Sequence, residues 1–315
     1  MMKHSLLHGT FGLLLIGAWT APGSTRLAAA DMPWTAEPER QATRWTIAYE
    51  GRPILVYEFD PGKFKPYVRE LRTLDGHNIL RDAPHDHLHH HALMYGIKVN
   101  GLNFWEETSG AGVQLPVHTA PPEFGRDAQG RPQAALRQRI HWVASADAFL
   151  PLTNQPALLI EDRMLVLTVD AAASEVALLW AGDFAVGNAA PEVALSGANY
   201  HGLGIRFRED LDAGARHFHD RGPIDLAGTR QDVSRHPWAG VELESPGFSA
   251  VLTLSGSADN RRGDLVFFSM KRPFAYLSAT EGLDAEPLVY RAGDRWRLAY
   301  RLALSPKKRS QESIR

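Results

Sequence analysis

Residues 296 to 304 read WRLAYRLAL, an alternation that sets Trp296, Leu298, Tyr300, Leu302 and Leu304 on one side. Arg297 and Arg301, with Arg295 just before them, fall on the other. Successive side chains point to opposite faces in an extended strand, so the pattern predicts a strand with one face buried and one in water. Runs of the same character recur with turn residues between them. RWTIAYEGRPILVYEFDPG folds back at Glu50-Gly51; ALLIEDRMLVLTVD covers Ala157 to Asp170 and EVALLWAGDFAV covers Glu175 to Val186; FSAVLTLSG and DLVFFSM follow. No long window holds a 3.6-residue period with caps, so helices are expected to be few and short. No repeat marks a solenoid or propeller. The fold class that satisfies this pattern is all-β, a large antiparallel β-sandwich of two packed sheets.

Residues 1–30 read as a secretory signal rather than as part of the fold. Lys3 precedes an apolar core, Gly9 to Trp19, that is too short to span a bilayer, and Ala28-Ala29-Ala30 supplies small residues for cleavage. The expectation is a periplasmic or secreted protein with no membrane span once processed. Residues 31–44 are polar and read as a linker, residues 45–306 as a single β-sandwich domain, and 307–315 as a basic, solvated tail. Residues 111–135, with four prolines, read as a long loop.

Composition narrows the chemistry. Removing Lys3 and Arg26 with the signal leaves 32 basic against 36 acidic residues, a net charge of −4 with no basic field to draw nucleic acid. The chain has no cysteine, which excludes disulfides, thiolate nucleophiles, lipidated cysteine and any Cys-ligated metal. A metal would have to sit on His, Asp and Glu. P-loop, Rossmann, G-x-S-x-G and H-E-x-x-H patterns do not occur, so no nucleotide cofactor is expected.

Residues 85–107 read HDHLHHHALMYGIKVNGLNFWEE and open with His85, His87, His89, His90 and His91. Asn100-Gly101 is a strong signal for a two-residue hairpin, because a type I′ turn needs φ > 0 at both positions. That register sets Val99 opposite Leu102, Ile97 opposite Phe104, Gly96 opposite Trp105 and Tyr95 opposite Glu106, with room for the indole over the glycine. Alternation carried back puts His85, His87, His89 and His91 on the face of Leu93, Tyr95, Phe104 and Glu106. His90 falls with Met94, Trp105 and Glu107. Pro84 marks a turn or loop entry at the start of the run. A face bearing imidazoles and a carboxylate can hold Zn²⁺, Fe²⁺ or Cu²⁺, or move protons, and a polar histidine run can also be merely solvated. The residues alone leave these readings open. His201, in Tyr200-His201-Gly202, and a second H-x-H, His217-x-His219-Asp220, are further candidates. Trp180 and His236-Pro237-Trp238 offer aromatic surface for a sugar ring.

KPYVRELRTLDGHNILRDAPHDHLHHHALMYGIKVNGLNFWEE resembles the core of the PmoA-like ("methane oxygenase") family of bacterial proteins. Lys65-Pro66-Tyr67, Thr73 to Gly76, Asp86-His87, His89-His90, Asn100-Gly101 and Phe104-Trp105 occupy the positions of that family's motif. Lys65 stands for an arginine, Leu88 for a proline, His91 for an arginine and Ala92 for a glycine. The family's name carries no function here, since a membrane methane monooxygenase subunit needs several spanning helices. The resemblance implies a sandwich similar to the galactose-mutarotase-like supersandwich, in which His and Glu on one sheet face handle a sugar's ring oxygen and anomeric hydroxyl.

These readings together predict a protein acting on a carbohydrate or related polyhydroxy compound by acid–base chemistry. His87, His89, His90 and Glu106 are the expected catalytic groups, and Tyr67, Lys65, His91, Trp105 and His201 the expected substrate contacts. A metalloenzyme with a divalent transition metal on a set drawn from His87, His89, His217 and His219 is the first alternative. A carbohydrate-binding module without chemistry is the second.

Overall fold

The computed structural model describes residues 32–307 apart from 40, 42, 261 and 262. The expected signal, residues 1–30, and all but Lys307 of the expected basic tail lie outside the described residues. Two large sheets, all of whose paired strands are antiparallel, carry the chain. The nine-stranded sheet runs Trp34–Glu39, Arg44–Tyr49, Arg52–Glu58, Tyr67–Leu71, Leu93–Gly96, Gly202–Arg206, Tyr276–Thr280, Leu265–Met270, Gln231–His236. The ten-stranded sheet is built around Pro132–Ala144, Ala157–Asp170, Glu175–Val186, Arg295–Pro306 and Phe248–Gly256, with Trp238–Ser245 and Arg216–His219 toward one edge.

The expected antiparallel β-sandwich is therefore the fold of the chain. Its core is one apolar cluster drawn from both sheets. Tyr95 of one sheet stacks on Trp180 of the other at 5.0 Å, and the Tyr57 hydroxyl donates to Gln138 Oε1 across the gap at 2.6 Å. Ala157–Asp170 is the expected strand and alternates buried and half-buried over its whole length, with Glu161 and Arg163 among the buried side chains. Glu50 and Gly51 both have positive φ (49° and 75°), and the hairpin between Arg44–Tyr49 and Arg52–Glu58 closes there. The one α-helix among the described residues is Glu209–Asp212.

Two segments depart from expectation. Part of the expected linker, Trp34–Glu39, pairs along Arg44–Tyr49 as an edge strand and buries Trp34 edge-on against Tyr49. An edge strand needs only one hydrogen-bonded side, which a short polar segment with Pro38 can supply. The expected loop 111–135 holds strands Gly112–Thr119 and Glu123–Arg126, both on Pro132–Ala144. Its prolines are accommodated at a strand start (Pro132), between strands (Pro121, Pro122) and where the register slips at Pro116.

The middle strands of the nine-stranded sheet are buried on both faces. Leu93, Tyr95, Leu203, Phe267 and Leu277 face the sandwich core. Met94, Phe268, Met270 and Tyr276 alternate with them and face away, where Tyr67, Trp105 and Phe274 complete a second apolar cluster. That outer cluster is the floor on which the histidines sit.

Candidate functional site

The histidine run is not a strand. His87 N–H donates to Pro84 O and His90 N–H to His87 O, two successive turns, and Ala83 N–H donates back to His90 O to close the loop. Ala92, at φ 52°, then turns the chain into Leu93–Gly96. The expected alternation of His85, His87, His89 and His91 with Tyr95 and Phe104 therefore fails: that face is the sandwich core, where imidazoles would lie desolvated without partners. The loop instead folds over the outer face, where His90 lies 6.1 Å from Trp105 and stacks on Tyr276 at 5.7 Å. His90 thus joins Met94 and Trp105, as its place in the alternation implied.

Asn100 (φ 50°) and Gly101 (φ 79°) form the expected turn, with Val99 paired to Leu102. A Cβ on Gly96 would lie 3.0 Å from the Trp105 Cα, so the glycine admits that backbone. Gly204 leaves the space that the indole and the Tyr276 hydroxyl fill. Asn103, a residue the sequence reading passed over, shapes the next turn. Its Oδ1 accepts from Trp105 N at 2.8 Å and Glu106 N at 3.2 Å, and its Nδ2 donates to Glu106 Oε2 at 3.1 Å. This fixes the carboxylate by a short-range Asx-type cap.

His87, His89, His90 and Glu106 line one cleft of about 330 Å³, with Tyr200, Phe268, Phe274 and Tyr276 as aromatic walls and Asn199, Arg230 and Gln231 as further polar lining. The three imidazole centroids lie 4.6–5.8 Å apart. His85 is exposed and does not line it. Asp86 Oδ2 lies 3.0 Å from His87 Nδ1. Burial, followed by the neighbouring His89 and His87, pushes the buried His90 down to about 2, so it is a neutral ring at any physiological pH. Half-buried His89 is also lowered, by desolvation first and then by Lys65 and His87. Neutral imidazoles offer one lone pair and one N–H each, the requirement for a general base or acid.

The expected substrate contacts lie mostly beneath this cleft. Lys65, Tyr67 and Trp105 are 1%, 1% and 0% exposed. Lys65 Nζ donates to Trp105 O at 2.9 Å and to Glu107 Oε1 at 2.7 Å. His91 is held between Glu107 (Nε2 to Oε1, 2.9 Å) and Asp82 (Nδ1 to Oδ1, 2.7 Å), and Tyr67 donates its hydroxyl to Asp82 Oδ2 at 3.0 Å. Burial alone would lower His91, yet its hydrogen bonds to Asp82 and Glu107 outweigh burial and raise it. Burial would raise Glu107, and His91 and Lys65 instead bring it to about 2. Lys65, Tyr67 and His91 are thus spent on one another and support the floor rather than meet a ligand. His201, also buried, stacks flat on Trp105 at 5.1 Å, behind the indole. Its burial lowers it to about 3.

The expected metal set is not assembled. His87 and His89 belong to the cleft, whereas His217 and His219 lie on Arg216–His219 of the other sheet. The compact group among the described residues is His219, Asp220 and His236, whose ligand-type atoms lie within 4.8 Å of one another. His236 Nδ1 contacts Asp220 Oδ1 at 2.6 Å and its Nε2 contacts Ser234 Oγ at 3.1 Å. The order Asp–His–Ser is that of a charge relay, but the Ser234 hydroxyl donates to Asp232 and so is not poised to give His236 a proton. Trp180 is core, under the Arg163 guanidinium.

Sequence reading missed Tyr200, Arg230, Gln231, Phe268, Phe274 and Tyr276 as lining. A signal existed for three of them, Phe268, Phe274 and Tyr276: LVFFSM and FAYLS are apolar at successive positions, which marks strands covered on both faces.

Among curated proteins none matches this sequence. Among solved structures, the chain is similar to the galactosidase domain of an α-galactosidase-sucrose kinase (AgaSK), at 10% identity and TM-score 0.47, over 86% of this chain and 42% of that one. It is similar to the α-galactosidase of Lactobacillus brevis at 8% identity and TM-score 0.43, over 87% and 39%. A Salmonella typhimurium protein provisionally assigned as a mutarotase (YeaD) aligns at 9% identity and TM-score 0.41, over 87% and 94%. The chain spans less than half the length of these α-galactosidase chains. The resemblance to PmoA-like proteins is corrected by a match to a different family, and no helix among the described residues is long and apolar enough to cross a membrane. Residues 44–315 match a family of unknown function (DUF6807), and the chain belongs to that family.

Proposed function

We propose that this protein is an enzyme that binds a carbohydrate or related polyhydroxy compound in the histidine cleft and moves protons on it with His87, His89 and Glu106. The observation that carries this reading is the convergence of three imidazoles and one tethered carboxylate on a cleft walled by four aromatic rings. Its 330 Å³ lies at the small end of ligand sites, which run from about 300 to 1,000 Å³. Aromatic faces suit the C–H faces of a sugar ring, while Asn199, Gln231 and the imidazoles suit its hydroxyls. His90, neutral and buried, serves as an oriented acceptor and wall. His89 is the base, since its lowered value leaves a lone pair free near neutral pH. Glu106, held by Asn103, is the second proton-handling group.

Ligand-observed NMR against a panel of neutral and acidic mono- and disaccharides tests the reading, with product formation followed in the same tubes. Binding by the wild type that is lost in His89→Ala supports it. A panel that leaves the wild type unbound sinks it, and binding without any turnover favours the non-catalytic module. We also propose export, on the strength of the apolar core Gly9 to Trp19 and Ala28 to Ala30. N-terminal sequencing of protein recovered outside the cytoplasm should begin at Asp31; a retained Met1 would overturn it.

A further inference from the structure

The polar residues that the cleft does not use gather at one edge of the sandwich. On the edge strand Gln231–His236, residues Gln231 and Val233 face the outer side with Met270 and Phe268, and Asp232, Ser234 and His236 face inward. On Arg216–His219, residues His217 and His219 pair with the core residues Val241 and Ala239 and so also face inward. Two strands, one from each sheet, therefore bring a His and a His–Asp pair to a single seam. His236-Pro237-Trp238 is also where the chain crosses directly from the nine-stranded to the ten-stranded sheet.

We propose that His219, Asp220 and His236 form a site for a divalent transition metal that fastens the two sheets together at this corner. This proposal is independent of the cleft. The donor set is two imidazoles and a carboxylate, borderline ligands that suit Zn²⁺, Co²⁺ or Cu²⁺ and not Mg²⁺. Their ligand-type atoms already lie within 4.8 Å of one another. Ligands on one zinc at 2.0–2.2 Å stand ~3.3 Å apart, so the ligand atoms must draw together and the stacked rings must turn to aim their in-plane lone pairs at one ion. The rings of His219 and His236 stack at 3.7 Å and 14°, so the two imidazoles are already side by side at the seam.

Neighbouring positions on these strands hold further buried polar groups. His217, two residues from His219 on the same face, is 2% exposed, and neither ring nitrogen meets a partner at hydrogen-bonding geometry among the described residues; the Met270 backbone gives it at most a weak contact. Ser269 Oγ, opposite Asp232, is likewise buried and without a partner. Asp232 adds a second negative charge close behind Ser234. Asp220 is exposed and opens the seam to solvent, an entry path for an ion. The local contacts that a metal would compete with are Arg221 N–H to His219 Nδ1 at 3.0 Å, the contact of His236 Nδ1 with Asp220 Oδ1 at 2.6 Å and that of His236 Nε2 with Ser234 Oγ at 3.1 Å.

The test uses tag-free, chelator-treated protein titrated with Co²⁺ and then Zn²⁺. One equivalent of Co²⁺ should bind and give visible d–d bands that Zn²⁺ abolishes. Saturating Zn²⁺ should raise Tm by about 5 °C or more, reversibly with chelator. His219→Ala and Asp220→Asn, each measured against its own metal-free Tm, should lose the metal-induced rise, while His89→Ala should retain it. Absence of stoichiometric binding, or a rise that persists in both seam variants, overturns the proposal. So does a rise that disappears in His89→Ala, because the ion would then belong to the cleft histidines.

Discussion

His91 and its two carboxylates show what a single buried side chain decides here. Taking charges out of water costs several kcal/mol per ion, and the pairing of Lys65, Glu107, His91 and Asp82, with Arg69 and the Tyr67 hydroxyl also on Asp82, offsets that cost. Replacing His91 by Gln should destabilise the protein by about 3–5 kcal/mol in urea unfolding, because Glu107 and Asp82 lose a shared counter-charge. The pH dependence follows from the signs. His91 is raised, so its contribution is complete below its unfolded value of ~6.5 and is lost as pH rises through the higher folded value. Glu107 is lowered to about 2, so its contribution is present above ~4.3 and is lost as pH falls toward 2. Unfolding free energy measured from pH 2 to 9 should therefore decline on both sides, and the alkaline decline should vanish in His91→Gln. His89→Ala should behave differently: half-buried and without such partners, it should change Tm little and abolish ligand binding. A large Tm loss with binding intact would assign His89 a structural role.

At the scale of elements, the hairpin at Asn100-Gly101 and the strand Gly202–Arg206 set the cleft floor. Asn100 holds φ 50° and also bridges to a neighbouring strand, its Oδ1 accepting from Ala194 N at 2.7 Å and its Nδ2 donating to Glu192 O at 3.2 Å. Asn100→Ala should cost about 2 kcal/mol, from the left-handed backbone and the lost hydrogen bonds. Gly204→Ala should cost about 1–3 kcal/mol, since a methyl there would press on the Tyr276 hydroxyl and come within 2.5 Å of the Trp105 ring. Ligand binding should fall more than stability in this variant, because Trp105 and Tyr276 are the surface against which His90 packs. Equal binding by Gly204→Ala and wild type would show that the floor does not shape the site.

At the scale of the molecule, the sandwich interior contains a charge that ties the two sheets to the cleft's supports. Arg163 is 2% exposed and donates to Glu161 Oε1 at 2.6 Å, to Gln114 Oε1 at 3.1 Å and to Pro66 O at 3.0 Å. Burial would lower it, and Glu161 and Tyr57 outweigh burial and raise it. Through Pro66 this guanidinium pins the segment that carries Lys65 and Tyr67. Glu161→Gln should cost about 3–5 kcal/mol by leaving Arg163 uncompensated, whereas Arg163→Met paired with Glu161→Leu should recover most of that loss. Denaturant midpoints on the single and double variants decide the matter, and additive losses would refute a shared ion-pair role.

The long apolar strands and the hairpin turns at Glu50-Gly51 and Asn100-Gly101 were determined by the sequence alone, because period-two alternation and positive-φ preferences act between near neighbours. That histidines cluster within residues 85–107 was legible for the same local reason: the residue types are written consecutively. The expected catalytic groups His87, His89, His90 and Glu106 do line one cleft, but not through the expected strand alternation. A turn at Pro84 and a left-handed Ala92 break the alternation, and the burial of that loop depends on Phe274 and Tyr276, distant in sequence. Lys65 and His91 read as ligand-binding cations because sequence does not show that Glu107 and Asp82 neutralise them. His219 and His236 could be joined only by the packing of one sheet on the other. Pairings of this kind are fixed by tertiary structure, since charge compensation and convergence are properties of three-dimensional distance, which sequence spacing does not encode.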